Sequence, residues 1–179
     1  LPNIIYREND AISAFYNFPS NESEFDSNAT SLYKAFVLRD DTYAQQLKKG
    51  GYARVCDYLR YDALMDHVKL QKTAGVYEIS LDDEVIWGCF DVDSHGEGED
   101  GEAAREKVRS ICDVLDVYGV PYMLEASGSP NSYHIWIFFK RTRTYNAYRF
   151  MRQVKAEAKV KGIEIWPKQK KLDKNGKFG

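Results

Sequence analysis

Between Val85 and Trp166 the chain changes hydrophobic period in a fixed order, and that order admits few folds. Apolar residues alternate over 85–92, 120–126, 132–139 and 163–166, which predicts strands, and recur at three- and four-residue spacing over 102–118 and 144–161, which predicts helices. The succession is β-α-β-β-α-β. In the sheet order 4-1-3-2 that goes with it, the first strand lies between the fourth and the third and is antiparallel to both. Its exit therefore lies beside the starts of those two strands. Both helices must cover one face of the sheet. Ile86, Phe90, Val92, Ile135, Ile137, Phe139, Ile163 and Ile165 have the parity for that face, and Trp87, Asp91, Asp93, Ser132, His134, Trp136, Glu164 and Trp166 have the opposite one. Three strands counted independently thus send acids and a histidine to one end of one open face.

The expected fold class is α+β: an RRM-like, or ferredoxin-like, antiparallel sheet over residues 85–179, with an N-terminal α/β lobe over 1–84. That lobe reads as mainly helical, with a hairpin strand. Helical spacing covers residues 4–17 and 29–38, separated by Ser20-Asn-Glu-Ser-Glu-Phe-Asp-Ser27, which reads as loop, and a longer helix is expected from about Tyr52 to Val68. Gly75 to Leu81, a turn at Asp82-Asp-Glu84, and Val85 onward read as a hairpin into the Asp91 strand.

With 179 residues, 44% of them hydrophobic and 14% aromatic, the chain can bury the core of one domain with an added lobe, and global disorder is excluded. A formal net charge of -2 and a pI near 6.0 exclude a uniformly basic protein. The basic residues are uneven: Lys140, Arg141 and Arg143 follow one strand, and Lys168, Lys170, Lys171, Lys174 and Lys177 crowd the C-terminus. A polyanion would be met there, unless the run is only a solvated tail. Cys56, Cys89 and Cys112 are odd in number and widely spaced, so reduced, mostly buried thiols are expected. No stretch is apolar enough to span a membrane and no signal peptide opens the chain, so a cytoplasmic protein is expected. The start at Leu1 and the stop at Gly179 in a run that reads as unfinished suggest a fragment of something longer.

The chemistry sits in Trp87-Gly-Cys-Phe-Asp91-Val-Asp93. Two residues apart on a strand, Asp91 and Asp93 point the same way and can share a cation, although the isolated pair reads equally well as turn-forming acids at a strand end. With Glu164 they make three carboxylates, a set that suits Mg²⁺ or Mn²⁺. His134 alone would read as a structural histidine, but beside Ser132 and facing acids it reads as a donor to a substrate phosphate. Ser127-Gly-Ser-Pro-Asn-Ser132 either lets the backbone approach a triphosphate or is an ordinary hairpin turn. Ser94 to Gly101 is acidic and glycine-rich, does not match an EF-hand, and reads as a solvated connection with His95 exposed.

Asp91-Val-Asp93, Ser132-Tyr-His134, and Glu164 in Ile163-Glu-Ile-Trp-Pro-Lys-Gln169 resemble the three motifs of archaeo-eukaryotic primase catalytic domains. The likeness is strongest to the primase-polymerases of TOTE conflict systems and of CRISPR-associated systems. Phe36-Val-Leu-Arg39-Asp-Asp-Thr-Tyr-Ala44, Gly51-Tyr52 and Thr73-Ala-Gly-Val-Tyr77 resemble the N-terminal lobe of that group, so the similarity runs from about residue 30 onward. It implies one catalytic domain and a template-directed nucleotidyltransferase, a DNA primase and polymerase. Two divalent ions, Mg²⁺ or Mn²⁺, would be held by Asp91, Asp93 and Glu164. Ser132, His134, Ser127 and Lys168 would serve the nucleotide. A DNA template and primer and nucleoside triphosphates are the implied partners, with helicase, nuclease or CRISPR-associated proteins as further domains or companions. For template contact the candidates are Lys140, Arg141, Arg143, Lys168 and Lys170, flanking the catalytic end or the adjoining helix, with Arg39 in the N-terminal lobe. Two rivals stand beside it: an RRM-like module stacking single-stranded bases on Trp87, Trp136 and Phe138, and a metal-dependent nuclease.

Overall fold

The computed structural model describes residues 22–94 and 101–173. The helix expected over 4–17, loop residues 95–100, Lys174 and Lys177 lie outside the described residues. Among the described residues the architecture is α+β, with four helices and two antiparallel sheets.

The N-terminal lobe departs most from expectation. Helix α1 (Glu22–Phe36) runs through most of the polar stretch read as loop. Its stability comes from packing on α2 (Tyr61–Val68): Ala29 is fully buried against Leu59 and Leu64, Asp26 accepts the Tyr61 hydroxyl, and Lys69 lies 5.5 Å over the Phe25 ring. Tertiary burial thus outweighs local polarity. The long helix expected from Tyr52 is instead a strand, a turn and α2. Strands β1 (Tyr43–Gln46) and β2 (Tyr52–Val55) form a hairpin closed by Gly50 (φ 85°) and Gly51 (φ 74°), with the Leu47 N–H donating to the Gly51 carbonyl at 3.0 Å. Two consecutive glycines in the left-handed region make that turn, and it returns Tyr52 to Val55 alongside β1 as a paired strand rather than as the start of a helix. Strand β3 (Ala74–Val76) pairs with β1, giving the order β2-β1-β3, so it does not form a hairpin with the Asp91 strand. A tight turn joins the two sheets, the Ser80 N–H donating to the Glu84 carbonyl at 2.9 Å.

The second sheet has the order β5-β6-β4-β7, all pairs antiparallel, from β4 (Glu84–Val92), β5 (Met123–Ala126), β6 (Tyr133–Arg143) and β7 (Glu164–Trp166). Helix α3 (Gly101–Val117) follows β4, and α4 (Thr144–Glu157) follows β6. Both pack on one face: Phe90, Val92, Ile135, Ile137 and Ile165 meet Val108, Ile111, Leu115, Met151 and Val154 in one core. At Gly88 a Cβ would come within 3.0 Å of the Trp166 carbonyl and 3.1 Å of the Met151 sulfur, so glycine is what lets α4 approach. Ile86 does not take its expected place. The β4–β6 register shifts between Val85 and Trp87, and Val85 rather than Ile86 packs with Ile79 and Ala147.

The other face is not fully open. Phe36, at the end of α1, lies edge-on to Trp87, Trp136 and Phe138, with ring centroids 6.1, 5.1 and 5.3 Å away, and its carbonyl accepts the Trp87 indole N–H at 2.9 Å. Trp87 is only 6% exposed. The aromatics that a base-stacking module would offer are therefore the seam between lobe and sheet.

Candidate active site

Because β4 is central, the register aligns four titratable side chains on one rung across the sheet: Glu125 on β5 opposite His134 on β6, His134 opposite Asp91 on β4, and Asp91 opposite Glu164 on β7. Cross-strand neighbours of this kind have Cβ atoms about 5 Å apart. His134 is clamped from both sides. Its Nδ1 lies 3.1 Å from Glu125 Oε2, and its Nε2 faces Asp91 Oδ1 at 3.6 Å. Glu125 Oε2 also accepts the Trp136 indole N–H at 2.7 Å.

The electrostatics follow from burial and proximity. Burial raises the Asp91 carboxyl above its ordinary range, and the charges of Asp93 and Glu164 push it further, against the opposing pull of His134. Burial alone would raise Glu125 too, but the hydrogen bonds from His134 and Trp136 prevail and hold it below the usual value. In His134, burial favours the neutral ring, yet the hydrogen bond and charge of Glu125, with Asp91 and Asp93 behind, raise its pKa. The rung is a partly buried row in which one histidine lies between two acids and a third acid follows at the sheet edge.

Asp91 Oδ1 is buried and accepts no hydrogen bond. Among the described residues no three His, Cys, Asp or Glu side chains are gathered into a ready-made metal cluster. Glu164, with 56% of its side chain exposed, is turned to Lys168, whose Nζ lies 2.6 Å from Oε2 and 4.2 Å over the Trp166 ring. The donor set nevertheless fits a hard divalent cation: oxygen ligands only, one of them buried and accepting no hydrogen bond, in an acid whose charge is repelled by the two other carboxylates.

Ser132 is buried at the same end, its Oγ accepting the Ser94 N–H at 3.4 Å, while Ser94 Oγ donates to the Pro130 carbonyl. Ser127 belongs to a hairpin turn, its N–H donating to the Ser132 carbonyl at 2.8 Å and its Oγ accepting from Ser129. The candidates for template contact divide. Lys168 is at the acid end. Because β6 runs antiparallel to β4, Lys140, Arg141 and Arg143 lie at the opposite end, Arg143 opposite Glu84, roughly 30 Å from His134 at about 3.3 Å per residue. They do not flank the acids. There Arg141 pairs with Glu84 and Asp82, Arg143 donates to the Asp82 carbonyl, and Lys170 shares a cavity with Arg143, Lys171 and Asp83. Arg39 is no surface contact. It is 4% exposed, held by Asp41 at 2.7 Å and 5.7 Å from the Tyr77 ring centre.

A family model for the archaeo-eukaryotic primase domain of TOTE conflict systems matches residues 28–179. The chain belongs to that family. No curated protein matches it significantly. Membership of a primase family points to an enzyme of nucleotidyltransferase type. In this primase-family domain the matched region takes in α1 from Asn28 onward, both sheets and every residue of the rung. Among the described residues no helix is long and apolar enough to cross a membrane.

Two acids were missed in the sequence, one half-buried and one fully buried. Glu125 was legible in principle, since Met123 and Glu125 alternate with Leu124 and register puts Glu125 opposite His134. Glu78 was not. It is 1% exposed, neither carboxyl oxygen has a hydrogen-bond partner, and burial pushes its pKa up to about 9. Its charge, when present, is felt by the buried Cys89 thiol. Cys56, by contrast with the buried thiols expected, is exposed.

Proposed function

We propose that this domain is a DNA primase and polymerase, joining nucleoside triphosphates to a 3′-hydroxyl on a DNA template, with β4 to β7 and the two helices between them acting as an RRM-like catalytic core. The observation that carries it is the rung itself: a buried Asp91 oxygen that accepts no hydrogen bond, facing a histidine clamped from both sides, with further acids at the same sheet end, in a chain of a primase family.

Asp91, Asp93 and Glu164 would hold Mg²⁺ or Mn²⁺. When bound, two such ions lower the pKa of the attacking hydroxyl, polarise the α-phosphate and neutralise the pyrophosphate that leaves. The chain's own residues do the rest. His134 directs Nε2 toward the acid end, where an imidazole N–H can donate to a phosphate oxygen. Ser132 lies at the same end, and its hydroxyl proton remains available as a second donor. Lys168 would leave Glu164 for the triphosphate, a short exchange because the pair is exposed and weak. Template and primer would be held mainly through phosphates, with Lys168 near the chemistry and Lys170, Arg143 and Lys140 farther along the sheet.

An RRM-like binding module is disfavoured by the cover that Phe36 gives Trp87 and Trp136, and by acids that would repel phosphate without a cation. The test is His134→Ala, measured for nucleotide KM and, separately, for primer-template affinity. Nucleotide use should weaken by roughly 10- to 100-fold, the worth of one charge-assisted hydrogen bond, with template affinity unchanged. Equal loss of both would make His134 structural.

A further inference from the structure

Helices α3 and α4 cover the same face of the sheet, but their outer surfaces carry charge differently. On α3, Glu102 pairs with both Arg105 and Arg109 at 2.9 Å, so its cations are answered by its own acid. On α4 no acid comes before Glu157, its last residue. Arg149 and Arg152 are exposed on it, and Lys170 and Lys171 are exposed beside its start. Among the described residues none of these four cations has a carboxylate within ion-pair distance. They meet tyrosines instead. Arg149 stands 5.7 Å from the centre of the Tyr145 ring, and Arg152 and Lys170 stand 4.4 and 5.7 Å from that of Tyr148. The Lys155 ammonium is held below its usual range, first by burial and then by the charge of Arg152, as expected where positive charge is not neutralised.

At the start of α4 these cations border a cavity of about 570 Å³, lined by Asp83, Arg143, Tyr145, Asn146, Lys170 and Lys171. That volume suits a small organic group such as one nucleotide. Asp83, the acid among these residues, is engaged, its Oδ1 accepting the Leu172 N–H at 2.6 Å. Arg143 donates one N–H to the Asp82 carbonyl and has others to offer. Tyr145, on the cavity wall, is 47% exposed. The apolar side of α4 is already buried through Ala147, Met151 and Val154, so no greasy face is left for a membrane or a partner helix. What the outer face offers is cations and phenol rings. A single nucleic-acid strand matches both, its phosphates meeting the cations and its bases stacking on the rings, whereas a duplex hides its base faces.

We propose that the outer face of α4 is a second nucleic-acid surface, which holds a single strand by its phosphates and stacks its bases on Tyr145. This rests on the reading that the domain handles nucleic acid, and extends it. Because α4 lies on the covered face of the sheet, the strand is held apart from the rung, and such a tether keeps the domain near its template between encounters with the primer end.

The experiment titrates a fluorescent oligo(dT) of about 20 nucleotides into the domain without divalent ions, at several salt concentrations. The triple variant Arg149→Gln, Arg152→Gln, Lys171→Gln should bind at least about tenfold more weakly at low salt. Its log–log salt slope should fall by about two, since a single strand releases about 0.7 counterion per phosphate contact. Tyr145→Ala should weaken binding about tenfold with the slope unchanged, and Tyr145→Phe, which keeps the ring, should bind as the original does. Arg109→Gln on α3 is the control and should change nothing. Unmodified affinity and slope in the triple variant would overturn the proposal, and so would equal loss in Arg109→Gln. A duplex of the same length competing as well as the single strand, or preference for phosphatidylserine vesicles, would overturn it too. With Mn²⁺ and saturating primer-template the triple variant should keep its kcat for extension, and a lowered kcat would show that the surface is not separate from the rung. If the unmodified domain extends no primer, the polymerase reading fails, while the titration still decides whether α4 holds a strand.

Discussion

Glu78→Gln should make the fold more stable at neutral pH and remove a large part of its pH dependence. Glu78 is 1% exposed, both its oxygens lack hydrogen-bond partners, and its pKa is pushed from 4.5 up to about 9. Between those values the unfolded chain releases the proton while the folded chain keeps it. Unfolding is then favoured by rising pH, the reverse of an acid held in a salt bridge. Each pH unit in that window lowers stability by about 1.4 kcal/mol, so by pH 7 the native carboxyl has forfeited about 3 kcal/mol relative to a neutral side chain of the same shape. Below about pH 4 both forms are neutral and the difference vanishes. Urea unfolding at intervals from pH 5 to 8 measures it, a range that stays below ionisation of the buried Cys89 thiol, which burial pushes well up. The gap between Glu78→Gln and the original should widen with pH at nearly 1.4 kcal/mol per unit. Parallel curves would refute the reasoning, since they would mean that Glu78 is ionised in the folded state and has a partner.

Asp91→Ala or Asp93→Ala should abolish nucleotide incorporation. In Asp91→Ala a calorimetric scan should find the melting temperature level or higher, because the lost carboxylate is partly buried and repelled by Asp93 and Glu164. Phe36→Ala should cost about 2–4 kcal/mol in urea unfolding followed by tryptophan fluorescence, since the ring joins α1 to Trp87, Trp136 and Phe138. Lys168→Glu should leave stability within about 1 kcal/mol, its pair being exposed, while raising nucleotide KM. Lys170→Glu should instead weaken primer-template binding and lower its salt slope by about one, and an unchanged slope would mark it as solvated surface.

What the sequence made legible, and what it did not, divides at about Glu78. From β4 onward each element buries one face against a partner that follows within a few dozen residues, so hydrophobic period alone places strands and helices, and parity places Asp91, His134 and Glu164 on one face at one sheet end, while the register of the structure puts them on one rung. Ile86 escaped because a local register shift reverses parity, which no periodic pattern announces. The N-terminal lobe was misread because its stability is non-local. The polar start of α1 is held by α2, and β2 takes its identity from pairing with β1 across Gly50 and Gly51. The same holds for basic side chains. Counting charges picked out Lys140, Arg141 and Arg143, but their distance from the acids depends on the length of β6, and the burial of Arg39 on its pairing with Asp41.

The central claim, that this rung carries out nucleotidyl transfer, is tested most directly by incubating the domain with Mn²⁺, a labelled primer on a DNA template and nucleoside triphosphates, then resolving the products by length. Stepwise lengthening of the primer, lost in Asp91→Ala, is the result predicted. Shortening of the primer would identify a nuclease, and retention at its original length with binding intact would identify a nucleic-acid-binding module without chemistry.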